Sequence, residues 1–175
     1  MRNLLSTKDQ RQLRLMETLI QNRNWMKLHE LAEKLGCTER ILKSDLNELR
    51  AAFPTIDIQS SVNGIMIDLE VNTSVEDIYQ YFLAHSQSFQ LLEYLFFNEG
   101  IPIYRTIENL HSSNANLYRL GRNITKTLST QFQIELSFTP SEIRGNEIDI
   151  RYFFAQYFSE RYYFLDWPFP DLPEE

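Results

Sequence analysis

The sequence predicts a mainly α-helical chain with small β-hairpins, an α+β fold in which a three-helix unit ending in a hairpin occurs twice. Three observations carry this reading. Apolar residues recur at helical spacing from Leu13 to Phe53, then alternate with polar ones from Ile56 to Leu69. The turn residues "VNG" separate the two alternating runs, and Asn and Gly tolerate the positive φ of a tight hairpin. A shift of 75 residues then lays the second half of the chain on the first without a gap over three helices.

The first helix begins near Thr7 or Asp9, either of which suits an N-cap, and places Leu13, Met16, Leu19 and Ile20 on one face. After "QNRNW", a second helix covers about 27–35 with Leu28, Leu31, Ala32 and Leu35 as its stripe. Gly36 suits the left-handed residue past a helix end, and Thr38 suits the cap of the next helix. That third helix runs to about Ala52, where Pro54 stops it. Its buried stripe is Leu42, Leu46, Leu49 and Phe53, with Asp45 at the edge as a structural partner for a neighbouring helix. Three helices followed by a hairpin is the order of a winged helix-turn-helix.

"TSVEDIYQYFLAHS" (73–86) reads as a connecting helix opened by a Ser74/Asp77 capping pair. Under the 75-residue shift, Leu28, Leu35, Leu42, Leu49 and Phe53 fall on Ile103, Leu110, Leu117, Ile124 and Leu128. "FQIELSFTPSEIRG" supplies a second alternating hairpin one residue later. The expected organisation is a first winged helix-turn-helix (1–71), a helical linker (72–87), a second winged helix-turn-helix (88–150), and an aromatic C-terminal helix and tail (151–175). Ten of the twenty residues 150–169 are Phe, Tyr or Trp, which points to docking on the second unit or to an interface.

Charge narrows the function. The net charge is −7, which argues against indiscriminate polyanion binding. Residues 1–54 nevertheless hold ten Lys/Arg against seven Asp/Glu, and 105–130 hold Arg105, Arg119, Arg122 and Lys126 against Glu108 alone. Both cationic islands fall on a predicted helix-turn-helix. On the third helix, the outward face presents Arg40, Ser44, Asn47 and Ala51, flanked by Lys43 and Arg50; Glu39, Arg40, Lys43 and Ser44 lie nearest its N-terminus, where base edges are usually reached. In the second copy, Leu117, Gly121, Ile124 and Leu128 form the buried stripe, with Gly121 expected to permit close helix approach. The opposite face carries Arg119, Arg122 and Lys126, with Asn114, Asn116 and Tyr118 at the start of the helix and Ser113 as its cap. Double-stranded promoter DNA is the expected partner. Ser60, Ser61 and Asn63 at the first hairpin tip are weaker candidates for a phosphate or the minor groove.

The same sequence offers nothing for catalysis. It shows no nucleophile motif, no phosphate-binding Gly-rich loop and no metal-ligand spacing, so neither an enzyme nor a cofactor is expected. The single cysteine, Cys37, excludes an internal disulfide and reads as a small apolar residue, with a redox thiol as the alternative. No apolar run spans a bilayer and the start lacks the apolar core of a signal peptide, so no membrane partner and a cytoplasmic location are expected.

"LAEKLGCTERILKSDLNEL" is similar to the "LA..LG.S.RTI..DL..L" pattern of bacterial winged helix-turn-helix regulators. "FQLLEYLFFNEG", "NANLYRLGRNITKTL", "IRGNEIDIRYFFAQYF" and "YYFLDWPF" resemble the N-terminal half of the Mga family, the M-protein trans-acting positive regulators of Gram-positive bacteria. The resemblance implies two winged-helix DNA-binding domains in a virulence-type transcription regulator that responds to growth conditions. Typical members continue into phosphotransferase-system regulatory domains and a IIB-like domain used in self-association. The sequence ends at Glu175, ahead of these, so a fragment and a short relative both stay open, as do a homodimer and missing C-terminal regulatory domains. No phosphorylation is carried over to His29, His85 or His111. The alternative function is a winged-helix protein-interaction module that does not touch DNA.

Overall fold

The structure, a computed structural model, describes residues 1–68, 74–163, 168 and 169. It divides into two compact units, Thr7–Tyr81 and a second made of Met1–Ser6 with the chain from Phe82 onward. Among the described residues no helix is long and apolar enough to cross a membrane.

The first unit contains α1 (Thr7–Asn22), α2 (Leu28–Lys34), α3 (Glu39–Ala52), the antiparallel strands β1 (Asp57–Ser61) and β2 (Gly64–Asp68), and the start of α4 (Val75–His85). The second contains a 3-10 turn at Arg2–Leu4, α5 (Gln87–Phe97), α6 (Ile103–Asn109), α7 (Asn114–Leu128), the antiparallel strands β3 (Glu135–Phe138) and β4 (Ser141–Arg144), and α8 (Glu147–Tyr162). The fold is therefore α+β, with two tandem helix-turn-helix units each followed by a hairpin.

The repeat holds at the level of single turns. α2 and α6 stand 75 residues apart at both ends. Gly36 closes α2 in the left-handed region at φ 63°, and His111 closes α6 in the same region at φ 45°. In each case the next amide reaches back five residues, Cys37 N–H to the Ala32 carbonyl at 2.9 Å and Ser112 N–H to the Ile107 carbonyl at 3.0 Å. This closure satisfies the last helical carbonyls and aims the chain into the next helix. There the Thr38 hydroxyl accepts from Ile41 N–H at 3.3 Å, and the Ser113 hydroxyl accepts from Asn116 N–H at 3.2 Å.

The first hairpin pairs Ile58 with Ile67 and Ser60 with Ile65, and its alternation buries Ile56, Ile58, Ile65 and Ile67. Leu69, the next residue of the expected alternation, lies outside the described residues, as do the first residues of the expected linker (72, 73) and most of the aromatic tail (164–167, 170–175). Met26 adds a third, single-residue rung by exchanging two backbone hydrogen bonds with Ile65, at 2.9 and 2.8 Å. Gly64 makes that approach possible, because a Cβ there would sit 2.1 Å from the Met26 carbonyl oxygen. The second unit repeats the rung between Ile101 and Ser141. The Ser74/Asp77 pair opens α4 reciprocally, each side chain accepting the other residue's amide at 2.9 and 3.1 Å.

Asp45 is a buried structural partner, 2% exposed. The Arg11 guanidinium donates to both carboxylate oxygens, at 2.6 and 3.1 Å, and Gln12 Nε2 donates at 3.0 Å. Gln12 also reaches Glu48 at 2.9 Å, and Lys8 pairs with Glu48 at 2.5 Å. This network pins α3 to α1. The bonds from Lys8 and Gln12 hold the Glu48 carboxyl below the usual glutamate range.

Three local expectations change. α1 begins at Thr7, so Thr7 and Asp9 lie inside the helix rather than capping it. Phe53 does not complete the buried stripe; it is the half-buried residue that ends α3, its ring 4.5 Å from that of Tyr81. Gly121 does not serve a helix–helix approach. A Cβ there would meet the ring of Phe138 at 2.4 Å, so the missing side chain makes room for the β3 aromatic to lie on α7. In the second unit α8 is capped by Asn146, which accepts from Ile148 N–H at 2.8 Å, and buries Phe153, Phe154 and Tyr157. The Tyr157 hydroxyl bonds the Phe89 carbonyl at 2.8 Å and lies 3.0 Å from Glu93, and burial with the Glu93 charge drives its pKa well above the phenol range.

These contacts set three expectations for stability, each read by chemical or thermal unfolding. Asp45→Ala leaves the Arg11 and Gln12 donors without their acceptor and should cost about 2–4 kcal/mol. Gly121→Ala should cost about 1–3 kcal/mol, and adding Phe138→Leu should recover part of that loss rather than add to it. Because the Glu48 pKa is depressed on folding, its contribution exists above the unfolded glutamate pKa and disappears as pH falls through the folded value; Glu48→Gln should be the less stable form at neutral pH and converge on the parent in acid.

Candidate nucleic-acid interface

The outward face of α3 is built by subtraction. Leu42, Asp45, Leu46 and Leu49 are taken up by the core, which turns Arg40, Lys43, Ser44 and Asn47 to solvent. Glu39 is exposed in the first turn. Arg40 and Lys43 are exposed and make no ion pair among the described residues. Cation heads held by a rigid helix with no internal partner are available to phosphate oxygens or to guanine edges.

Arg50 has different work. It is half-buried, its Nε donates to the Ile58 carbonyl at 3.0 Å, and its Nη2 donates to the Ser60 hydroxyl at 2.5 Å. It also reaches the Asn47 side-chain oxygen at 3.4 Å. The residue therefore ties α3 to β1 and fixes the hairpin against the helix. At the other end of the hairpin, Lys27 Nζ donates to the Val62 carbonyl at 3.0 Å. Ser61 accepts from Asn63 N–H at 3.0 Å, which closes the tip locally.

On α7, Leu117, Leu120, Gly121, Ile124 and Leu128 are buried, and Arg119, Arg122 and Lys126 project away from them. Arg122 and Lys126 are exposed and without an ion pair among the described residues. Arg119 donates to the Asn116 oxygen at 2.7 Å. Asn116 is half-buried and fully engaged, donating to Ser112 at 2.9 Å and to Gln87 at 3.3 Å. Asn114 is exposed at the first helical position. Tyr118 is exposed on one edge while its ring stands edge-on to Phe138, 5.2 Å away.

The structure thus brings Glu39, Arg40, Lys43, Ser44 and Asn47 onto one face of α3, and Asn114, Arg119, Arg122 and Lys126 onto the outer side of α7. It turns Arg50 and Asn116 inward to bonds within their own units. Lys27 was absent from the sequence reading, because only the folded hairpin brings a residue 35 positions away to its ammonium. Cys37, in the turn before α3, is half-buried, and burial raises its thiol pKa, which opposes thiolate chemistry.

Comparison with known proteins adds an independent line. Residues 6–65 match the model of the M protein trans-acting positive regulator (MGA) HTH domain, and residues 71–158 match that of the Mga helix-turn-helix domain. A putative trans-acting regulator of Streptococcus pneumoniae is 48% identical over 175 residues, which is 100% of this chain and 36% of the relative. The capsule synthesis positive regulator AcpA of Bacillus anthracis is 27% identical over 171 residues, 94% of this chain and 34% of the relative. The chain therefore spans about a third of the length of the curated relatives it matches. With two consecutive family domains laid over its two helix-turn-helix units, the chain belongs to the Mga family of trans-acting transcriptional regulators.

Proposed function

We propose that this chain binds double-stranded promoter DNA through both helix-turn-helix units, with α3 and α7 as the recognition helices in the major groove. The observation that carries the reading is the pair of outward faces whose cations, Arg40 and Lys43 on α3 and Arg122 and Lys126 on α7, have no ion-pair partner among the described residues. In an acidic chain of net charge −7, leaving these four unneutralised on recognition helices favours a polyanion as their partner. The names of the two relatives, a trans-acting regulator and a positive regulator of capsule synthesis, support the same class of activity.

The two helices divide the work. α3 offers Arg40 and Ser44 near its start and, a turn further on, Asn47, whose oxygen also accepts from Arg50, a mixed set of donors and acceptors suited to base edges. The start of α7 commits Asn116 to Ser112 and Gln87, and what remains outward is a cationic row suited to phosphates. α3 therefore contributes more to sequence choice and α7 more to affinity.

A second reading rests on Phe97, Ile148 and Tyr152, large apolar side chains exposed on the second unit, which would suit a protein-docking surface. Quantitative gel shift on a selected duplex separates the two. DNA binding predicts that affinity falls steeply with salt. Arg40→Ala should relax discrimination at one or two base pairs by about 1–3 kcal/mol, and Arg122→Ala should weaken all duplexes alike and flatten the salt dependence. Absence of duplex binding at low salt, together with a stable protein complex, would favour the docking reading instead.

A further inference from the structure

α8 carries more apolar surface than its own unit uses. Phe153, Phe154 and Tyr157 point inward and are buried. On the opposite side Ile148, Tyr152, Ala155 and Ser159 follow one another at i, i+4, i+7 and i+11, the spacing of a single helix face. Ile148 is 76% and Tyr152 61% exposed, and Ala155 and Ser159 are exposed with them. A helix that is apolar on both sides is normally covered on both.

Neither DNA nor the described part of the C-terminal tail fits this stripe. It carries no cation, and on its flank Arg151 is paired with Glu147 at 2.6 Å, so it offers little to phosphate. Phe169 packs on Phe158 at 4.9 Å, with Phe96 and Phe97 at 6.5 and 6.1 Å, on the side of α8 that meets α5.

The order of sizes along the stripe favours a second copy of the same helix. The large side chains, Ile148 and Tyr152, occupy its first half, and the small ones, Ala155 and Ser159, its second. Two such helices laid antiparallel, with a two-fold axis level with Phe153 and Phe154, set Ile148 opposite Ser159 and Tyr152 opposite Ala155. Each large side chain then meets a small one. A parallel pairing would set Tyr152 on Tyr152. The charges agree with the antiparallel sense. The first turn of α8 holds Glu147 and Asp149 and the last turn holds Arg161, so the pairing brings acidic and basic ends together. Glu160, also near the end of the helix, is neutralised by the N-terminal amino group at 3.2 Å.

We propose that the outer stripe of α8 is a self-association surface, on which two copies of this chain pair their α8 helices antiparallel. The proposal narrows the docking reading above to one partner and does not depend on DNA binding. One helix stripe offers roughly half of the ~800 Å² per partner of a standard interface, so the pairing is weak and reversible.

Sedimentation velocity of the chain without DNA, over a dilution series reaching the high-micromolar range, reads it. The parent should pass reversibly from monomer to dimer and no further, because a two-fold contact closes on itself. Ile148→Asp should raise the dissociation constant at least about tenfold. Tyr152→Ala and Ala155→Tyr should each weaken the dimer, and the double variant that exchanges the two should return to within about threefold of the parent, since a large side chain again faces a small one. Val62→Ser, which removes an exposed apolar side chain from the first hairpin, should dimerise as the parent does. Thermal unfolding of all the variants should stay close to the parent, because every substituted side chain is exposed. A parent that stays monomeric throughout, or a dimer that survives Ile148→Asp, overturns the proposal. So does an exchange that fails to recover what each single change loses, the result expected if a different protein covers the stripe.

Discussion

Everything on the outer face of the first unit depends on one buried carboxylate. Asp45 accepts from Arg11 twice and from Gln12 once, and these bonds set how α3 lies on α1. A helix held by apolar contacts alone can settle by sliding or rolling through shallow alternatives. A bidentate guanidinium–carboxylate pair adds direction, and misalignment would leave a charge buried without its partner. Once α3 is set, the directions of Arg40, Lys43, Ser44 and Asn47 follow, and so does the hairpin, because Arg50 leaves the same helix to hold β1. The interface inherits its geometry from a group that never reaches the surface.

The second unit reaches the same architecture by other means. Leu120 occupies the place of Asp45 under the 75-residue shift, and Ser86 that of Arg11, so there is no charge pair to repeat. Steric fit replaces it: Phe138 from β3 lies over Gly121, and Tyr118 stands against the same ring. One unit is fixed by a polar bond between helices and the other by an aromatic ring seated in a glycine notch between hairpin and helix. The difference at the outer faces is consistent with this. Where the inner bond is directional, the outward residues are varied; where the inner contact is apolar, the outward residues form a simple cationic row.

Much of this was legible in the residues, for a physical reason. Helix period, strand alternation, the Gly36 turn, the Thr38 and Ser113 caps and the Ser74/Asp77 pair are all decided within a few residues, so they are written locally. Contacts made across the fold were harder to read. Gly121 advertised an absence without saying what would fill it, and a helix was the wrong guess because the filling ring comes from a strand 17 residues later. Arg50 and Asn116 lie on the surface of their helical wheels, and only the placement of Ile58, Ser60, Ser112 and Gln87 shows that their polar groups are already occupied. His111 hid for a different reason. A left-handed helix end is usually signalled by glycine, and here a histidine takes that conformation without announcing it.

The first six residues bear on how the chain must be made. Leu4 and Leu5 are buried, the N-terminal amino group pairs with Glu160 at 3.2 Å, and the segment belongs to the unit whose remaining residues begin at Phe82. The second unit is therefore discontinuous in sequence, with the whole of residues 7–81 inserted between its two parts. On a ribosome the first unit can close as soon as its own residues emerge. The second can pack its opening segment only once later parts of the chain exist, α7 first and then Glu160 on α8. Loop closure over that separation is slow relative to local pairing. Synthesis is thus ordered by topology: the inserted unit can close before the unit that is discontinuous in sequence does.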